Sequence, residues 1–477
     1  MVVGDITTGT DLAVIGAGPA GYVAAIRAGQ LDLDVTLIER EAYGGVCLNH
    51  GCIPSKALIN ATDIAQEARD GETYGVHADP AVDLSQMVAW KDDVVHRLTR
   101  GVEQLCKANG VNLLEGTATF ADEQTLRVVH EGEGQGAESI TFEHAAIATG
   151  SRPIEIPGFS FDDDPVLDSR QALALDRVPE RLVIVGAGYI GMELAGVFAK
   201  AGAEVVVLEM LDSILPGYDQ ALAGPVRKRS EELGIELHLE TTAAGWESDG
   251  DGILVQTEPA ENGGQAPGDI HAENVLVAVG RQPVTDTVNL EAIGLETDES
   301  GFIPTDDQMR TEIEHIFAIG DVAGEPMLAH KGSAEGIVAA EAVAGEPVAA
   351  DFQAVPAAVF TDPEIATVGL SEDEAEAEGF DPVVGKFPFT ASGRALTTGH
   401  TDGFVRLVAD GDSGFILGGQ VVGPEASELI AEISLAVEMG AQLEDVARTI
   451  HTHPTLGEAV MEAAEHALGQ AIHTLNR

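Results

Sequence analysis

Short apolar runs closed by glycine recur along the chain, and one arrangement of them occurs twice. Residues 11–40 read DLAVIGAGPAGYVAAIRAGQLDLDVTLIER. The unbroken apolar run at 12–15 predicts a strand buried on both faces. Gly16, Gly18 and Gly21 follow as G-x-G-x-x-G, opening an alanine-rich helix, and a second apolar run at 35–38 ends at Glu39. Residues 181–210, RLVIVGAGYIGMELAGVFAKAGAEVVVLEM, repeat the device with Gly186, Gly188, Gly191 and Glu209. In both copies the acid follows its first glycine by 23 residues. Such glycines let the backbone turn tightly and approach a pyrophosphate at a helix N-terminus, and the acid accepts hydrogen bonds from a ribose. A single copy reads equally well as a glycine-rich turn. Two copies at one spacing predict two dinucleotide sites.

Other runs close these units. AAIATGSRP at 145–153 and VLVAVGRQP at 275–283 are apolar stretches ending in glycine, one after each repeat. IFAIGDVAG at 316–324 sets Asp321 just past a third. An acid there suits cofactor hydroxyls, and equally a turn or helix cap. The polar, glycine-rich stretch 245–275 reads as a surface hairpin. From 351 the pattern changes to FQAVPAAVFTDPEIATVGL and alternating strand-like segments, so a separate domain begins nearby.

Charge and composition narrow the function classes. Asp and Glu total 80 against 25 Lys and Arg, a net charge of −55, and only seven of the cations are lysines. At molar salt the screening length falls to about 3 Å, which removes most repulsion between surface carboxylates. The chain therefore reads as adapted to a salt-saturated cytoplasm. Its acids are spread along the whole length rather than gathered in a tail, which argues against a dedicated basic partner. Nucleic-acid binding is excluded on the same grounds, because phosphate contacts need clustered Lys and Arg. No run of 18 apolar residues predicts a membrane span. The N-terminus lacks a basic region followed by an apolar core, so the expected location is cytoplasmic. The 55 glycines and 44% hydrophobic content fit a globular α/β protein rich in tight turns.

Three cysteines are too few for a secreted disulfide framework. Two of them, Cys47 and Cys52, lie in GGVCLNHGCIPSK at 44–56, and Cys106 stands alone in a helix-like stretch. An ideal helix holds residues i and i+5 about 8.6 Å apart, whereas a disulfide needs roughly 4.4–6.8 Å between Cα atoms. The pair can bond only where the backbone leaves regular helix, and Gly51 and Pro54 make that departure plausible. Zinc is a poor alternative, since structural sites space cysteines by two to four residues and need further ligands, which His50 alone does not provide. Inert thiols are the bland reading, a redox disulfide the sharper one. A cycling dithiol needs a two-electron acceptor; a flavin can accept from a thiolate and pass hydride to nicotinamide. FAD in the first site and NAD in the second satisfy that chemistry. Glu209 supports NAD over NADP, because its carboxylate would repel a 2′-phosphate and the flanking Met210, Leu211 and Asp212 offer no arginine.

With both fingerprints and the cysteine motif in hand, the chain resembles the FAD-dependent pyridine nucleotide-disulfide oxidoreductases. The likeness runs nearly end to end, through AIATGSRP, FAIGDVAG, MLAHKGSAEG and HTHPTLGE. The resemblance implies an α/β fold with two Rossmann-like dinucleotide-binding domains (FAD and NAD) plus a C-terminal α+β dimerisation domain. The expected divisions are 1–153 for FAD and the disulfide, 154–281 for NAD, 282–350 for a central domain completing the FAD site, and 351–477 for the interface. It further implies a homodimer that oxidises a protein-bound dihydrolipoyl group, borne by a carrier of a 2-oxoacid dehydrogenase complex or a glycine cleavage system. By the same likeness Cys47 exchanges with substrate, Cys52 is the charge-transfer thiolate beside the flavin, and Lys56 sits near flavin N5 paired with Glu193. Glu39 is expected on the adenosine ribose and Asp321 on the ribityl or pyrophosphate region. Ala118 and Ala329 are expected to give backbone contacts, and Gly280 to lie along the NAD path.

The segment HTHPTLGE holds the acid–base candidate, because thiol–disulfide exchange proceeds through a thiolate and some base must take the incoming proton. On spacing alone His453 could be that base, a structural histidine, or half of a His-x-His metal pair with His451. The family match makes it the base, oriented by Glu458 and supplied by the other subunit; the His453–Pro454 bond is a candidate cis peptide. Family members that reduce glutathione disulfide carry arginines near the second fingerprint, and those that reduce mercuric ion carry a C-terminal cysteine pair. Neither feature is present here. A scaffold role, from another class, has no use for a dithiol, a base and two cofactor sites together. The −55 charge predicts that dialysis into dilute buffer unfolds the chain, while roughly molar KCl or NaCl keeps it folded and active. An unchanged circular dichroism spectrum at low salt would contradict the salt-adapted reading.

Overall fold

The computed structural model describes residues 7–130, 136–250, 252–261 and 263–476 of the 477-residue chain. The first six residues and residues 131–135 of the expected first domain, positions 251 and 262 of the expected hairpin, and Arg477 lie outside the described residues.

The first repeat builds a sheet from strands β1 (Thr7–Ile15), β2 (Val35–Glu39), β3 (Asn112–Glu115), β4 (Thr117–Asp122), β5 (Thr125–Val129) and β6 (Ala137–Ile147), in the order β3-β2-β1-β6-β5-β4. Its centre is parallel, with Leu12 beside Val35 and Ala13 beside Ala145. Leu12, Val14, Val35 and Leu37 are buried, as a strand covered on both faces requires. Helix α1 (Pro19–Gln30) crosses between β1 and β2, and α2 (Gly45–His50), α3 (Cys52–Asp70) and α4 (Leu84–Ala108) follow β2. Cys106 is fully buried at the end of α4, among the apolar residues beneath α1.

The second repeat leaves by β7 (Ser151–Pro153) and runs through β8 (Val166–Leu167), α5 (Ser169–Ala172), β9 (Arg181–Val185), α6 (Tyr189–Ala201), β10 (Glu204–Leu208), α7 (Gln220–Glu232) and β11 (Glu236–His238). The stretch read as a hairpin is a three-stranded antiparallel sheet, β12 (Thr241–Asp249), β13 (Gly252–Pro259) and β14 (Ile270–Ala272). Ile253 and Val255 alternate inward on β13, and the short β14 lends Ile270 and Ala272 to cover them. Three residues of strand were too short to stand out within a polar stretch. Strand β15 (Asn274–Val277) completes the second parallel sheet, in the order β11-β10-β9-β15-β8.

The chain then turns back. Strand β16 (Arg281–Pro283) pairs antiparallel with β7, and β17 (Ile316–Ala318) joins β6 in the first sheet. Helix α8 (Ala329–Val343) packs against α1; a Cβ on Gly336 would stand 2.5 Å from the Ala20 carbonyl oxygen, so this close crossing requires glycine. The last region is an antiparallel sheet of β18 (Ala357–Val359), β19 (Glu364–Gly369), β20 (Pro382–Pro388), β21 (Phe404–Asp410) and β22 (Ile416–Gly423), ordered β18-β19-β22-β21-β20, with helices Ala426–Glu438 and Glu458–Ala467 packed on it.

The two fingerprints are congruent in atomic detail. Gly16 and Gly186 hold φ of 101° and 103°, and a Cβ on them would meet the carbonyl oxygens of Ala148 at 2.3 Å and Ala278 at 2.6 Å. A Cβ on Gly21 or Gly191 would lie 1.9 or 2.0 Å from the carbonyl oxygen of the first glycine in its own copy. Around Gly188 nothing lies within 4 Å, and Gly18 has only Gly45 at that limit. The outer glycines thus close the turn, and the middle one leaves it open. Gly191→Ala is expected to lower stability by about 1–3 kcal/mol in denaturant titrations at molar salt. Gly188→Ala, at φ −69° in open space, should change it by less than about 0.5 kcal/mol. Equal effects would refute this division of labour.

Candidate active site

A cleft of about 380 Å³ opens where β1 and β2 end. Gly16, Gly18, Glu39, Ala118, Asp321 and Ala329 line it, together with Cys47, Cys52, Lys56 and Glu193. Ten of the residues singled out from the sequence therefore share one cavity, while Gly21 lies beneath it against Gly16.

The thiol segment is fastened directly to the first fingerprint. The Gly44 N–H donates to the Ala17 carbonyl at 2.8 Å. A Cβ on Gly45 would reach 2.5 Å from the Gly18 Cα. Helix α2 carries Cys47, then breaks at Gly51 (φ −133°, ψ −110°), and Cys52 starts α3. The break replaces the regular helix that would have kept the two sulfurs apart. A Cβ on Gly51 would stand 3.1 Å from the Val46 carbonyl oxygen, a tight contact. Both thiols are free in this structure. Interaction with the neighbouring Cys47 thiol, helped by the Lys56 charge and opposed by burial, pushes the Cys52 thiol down to about 7. The same interaction and burial push Cys47 up. The opposite directions favour Cys52 over Cys47 as the thiolate.

One turn into α3, Lys56 Nζ lies 2.7 Å from Glu193 Oε2 and 4.5 Å above the centre of the Phe360 ring. Glu193 is 4% exposed, and its Oε1 accepts the Phe360 N–H at 2.9 Å. A buried carboxylate is tolerable only when both oxygens are answered in this way. On the far wall, Ser151 donates to Asp321, and Arg281 binds Ser151 through its hydroxyl at 2.8 Å and its carbonyl at 2.6 Å. Tyr189, at the start of α6, also lines the cleft, and burial pushes its phenol up to about 12. Ser151, Arg281, Tyr189 and Phe360 had no separate signal as site residues. Ser151 and Arg281 sit in the GSRP and GRQP motifs, but their meeting depends on the pairing of β7 with β16.

The second fingerprint repeats the carboxylate anchoring of the first. Glu39 accepts the N–H groups of Ala17 at 2.7 Å and Glu41 at 2.8 Å; Glu209 accepts those of Ala187 at 2.7 Å and Leu211 at 2.9 Å. Met210, Leu211 and Val279 are exposed beside it, and Gly280 holds φ 139°. Gly186, Gly188, Gly191, Glu209 and Gly280 are not among the residues of the large cleft.

His453 and Glu458 lie elsewhere. His453 Nδ1 is 2.9 Å from Glu458 Oε1, the imidazole is 80% exposed, and the His453–Pro454 bond is cis. Burial acts to raise the Glu458 carboxyl, but the Thr455 N–H and His453 outweigh it, so the group is held below its usual range. Among the described residues neither of the pair lines the thiol cleft. His451 is engaged separately, with Nε2 2.7 Å from Glu432 and Nδ1 2.9 Å from the Thr449 carbonyl, which makes it a packing residue.

The cleft fits a flavin dinucleotide on its own terms. Its floor is open above Gly18, its helix N-terminus faces the space, and an anchored Glu39 stands at one end with a thiol pair at the other. Comparison with known proteins agrees. The profile of the pyridine nucleotide-disulphide oxidoreductases matches residues 10–336, and that of their dimerisation domain matches 355–464. The chain is 68% identical to the dihydrolipoyl dehydrogenase of Halobacterium salinarum and 67% identical to that of Haloferax volcanii, over the full length of both chains in each case. It is 49% identical to the Geobacillus stearothermophilus dihydrolipoyl dehydrogenase, again at full coverage of both. Among solved structures it superposes on LpdA of Mycobacterium tuberculosis with a TM-score of 0.88 at 28% identity, covering 96% of this chain and 99% of the other.

The thiolate assignment makes a pH prediction. In the dithiol form, thiolate absorbance should rise through a midpoint near 7, with the ionised form above it. Lys56→Met removes a cation that lowers this value and should raise the midpoint by about one unit. An unshifted midpoint would show that Lys56 does not hold the thiolate.

Proposed function

The chain belongs to the pyridine nucleotide-disulphide oxidoreductases, and from that premise we propose that it oxidises a protein-bound dihydrolipoyl group to the lipoyl disulfide with NAD as final acceptor. The observation that carries this is the Cys47–Cys52 pair, set on the first fingerprint and backed by Lys56 and Glu193, in a chain 68% identical end to end with a dihydrolipoyl dehydrogenase. Bound FAD supplies the two-electron relay from sulfur to nicotinamide.

The protein's own residues divide the remaining work. His453, oriented by Glu458, takes the proton from an incoming dihydrolipoyl thiol. The resulting thiolate attacks the Cys47 sulfur of the oxidised pair, the Cys47–Cys52 bond breaks, and Cys52 leaves as thiolate. The second substrate thiol attacks the substrate sulfur of the mixed disulfide, so the lipoyl ring closes and Cys47 leaves as a thiol with that second proton, the first remaining on His453. The Lys56 charge favours the anionic form of Cys52 and so makes it the better leaving sulfur. Gly18, Glu39, Ala118, Asp321 and Ala329 would hold FAD, and Gly188, Glu209 and Gly280 would hold NAD.

His453 is far more exposed than a working base should be, and it is absent from the residues lining its own chain's thiol cleft. A homodimer supplies the remedy, each protomer lending His453 to its partner's cleft. The match to a dimerisation domain supports that arrangement, as do Leu435, Met439, Ile450 and Ile472, all exposed in the C-terminal region. No helix among the described residues is long and apolar enough to cross a membrane. A cytoplasmic enzyme serving a 2-oxoacid dehydrogenase or glycine-cleavage carrier fits these features and the salt-adapted charge.

With dihydrolipoamide and NAD at molar KCl, the pure protein should turn over faster than with glutathione disulfide or mercuric ion and NADPH. The reverse order would reject the substrate. Cys47→Ser should abolish activity, and His453→Gln should lower kcat/KM by about 10²–10⁴; full activity of Cys47→Ser would end the disulfide mechanism.

A further inference from the structure

The helix that carries the thiols is locked to the helix of the second fingerprint by two rungs of charge. On α3 the residues are Lys56 and Asp63, on α6 Glu193 and Lys200, each pair seven residues and about 10.5 Å apart. Lys56 meets Glu193 at 2.7 Å, and Lys200 Nζ meets Asp63 Oδ1 at 2.6 Å. The polarity inverts between rungs. Sliding either helix by two turns would therefore set lysine against lysine or carboxylate against carboxylate, so the charges specify one register.

A third element fixes both rungs. The Phe360 N–H binds Glu193, and two residues later Asp362 accepts from Lys200 at 3.0 Å and from Arg229 Nε at 3.1 Å. Arg229 continues to Asp70 at 2.8 Å, and Arg69 donates to the Lys200 carbonyl at 2.7 Å. A cavity of about 10 Å³, close to the volume one water needs, lies between the rungs, with Asp63, Glu193, Lys200 and Asp362 among its lining and Ile59 and Val197 beside them. Burial acts to raise the Asp362 carboxyl, but the Lys200 and Arg229 charges reverse this and hold it low. Lys200 itself is 5% exposed. In a chain left with seven lysines, a buried one in contact with two carboxylates is a costly feature to keep without a role.

We propose that Lys200 is a positioning residue for the redox centre: it holds α3, α6 and the 360–362 segment in the register that keeps Lys56 and Glu193 beside Cys52. The role rests on the proposed disulfide activity but adds a residue two helical turns from Lys56 and Glu193 and about three turns from Cys52 along α3. Lys200→Met leaves Asp63 and Asp362 facing one another, which loosens the seam and makes the potential at Cys52 more negative. Both effects disfavour the thiolate. The groups facing this seam are Asp63, Arg69 and Asp70 from α3, Glu193 from α6, Arg229 from α7, and Asp362. Around Cys52 they are Cys47, Lys56, Glu193 and Tyr189.

The test uses two-electron-reduced holoenzyme at molar KCl, following the long-wavelength absorbance of the Cys52 thiolate against flavin as pH is varied. Lys200→Met should raise the midpoint by about 0.5–1 pH unit. Lys200→Gln, which keeps a donor for Asp63 and Asp362, should shift it in the same direction and serves if the methionine variant does not fold. Lys200→Arg should restore the parent value. Midpoints of both neutral variants equal to the parent's overturn the role alone. A parent enzyme without the band overturns the disulfide activity and this role together.

Discussion

Glu193 sets the terms for the centre of the molecule. A carboxylate only 4% exposed is costly to bury unless each oxygen is answered, and here one oxygen meets Lys56 and the other the Phe360 N–H. Those contacts come from the thiol helix and from the start of the C-terminal sheet region, so satisfying one charge brings three parts of the chain together. In a salt-rich medium this has added force. With a screening length near 3 Å, exposed pairs such as Lys228–Asp402 are largely masked, whereas buried pairs keep their direction and strength. Lys91, Lys200 and Lys331 have side-chain exposures of 7, 6 and 13%, so part of the small lysine complement sits where salt does not reach.

The two repeats show how one device yields unlike sites. In each, the alanine between the first two glycines accepts an N–H from the loop that follows the anchored acid: Gly44 to Ala17, Leu215 to Ala187. In the first copy that loop is glycine-rich and close enough to touch Gly18, and it runs on into the two thiols. In the second copy the corresponding loop leads away to Tyr218 and α7, and Met210 and Leu211 stay exposed. The fingerprint supplies a helix N-terminus and a ribose anchor, and the next loop decides what chemistry is brought to it.

Legibility in the sequence followed the range of the interactions. The fingerprints could be read because turn, helix and acid lie within thirty residues, and the third glycine of each answers a contact with the first, five residues earlier. The thiol pair could be read because its break, Gly51, sits between the cysteines. Ser151 and Arg281 could not be joined from sequence, since their contact needs β7 to pair with β16 across 130 residues, and Asp321 reaches Ser151 across 170. The same is true of Asp63 and Lys200, whose meeting depends on how α3 and α6 align. Lys56 and Glu193 were paired in advance only because a family resemblance supplied what spacing could not. Strand β14, three residues long, gave too little periodicity to separate it from the polar stretch around it.

The separation of the thiols from their base has a physical logic. An imidazole hydrogen-bonded to Glu458 is most useful where a substrate arrives, at a surface, while a thiolate exchanging electrons with a ring needs enclosure. A single chain folded around one nucleotide cleft meets these demands poorly, because a helix that buried His453 over Cys47 would also seal the entrance. In the arrangement proposed above, the base is carried on the exposed C-terminal region and lent across a two-fold axis, which meets both demands. Each cleft would then be completed by another protomer, with the entry along the seam between them. The anchored carboxylate of Glu458, held by the Thr455 N–H as well as by His453, keeps the imidazole aimed before any partner is present, so association has little side-chain freedom left to remove.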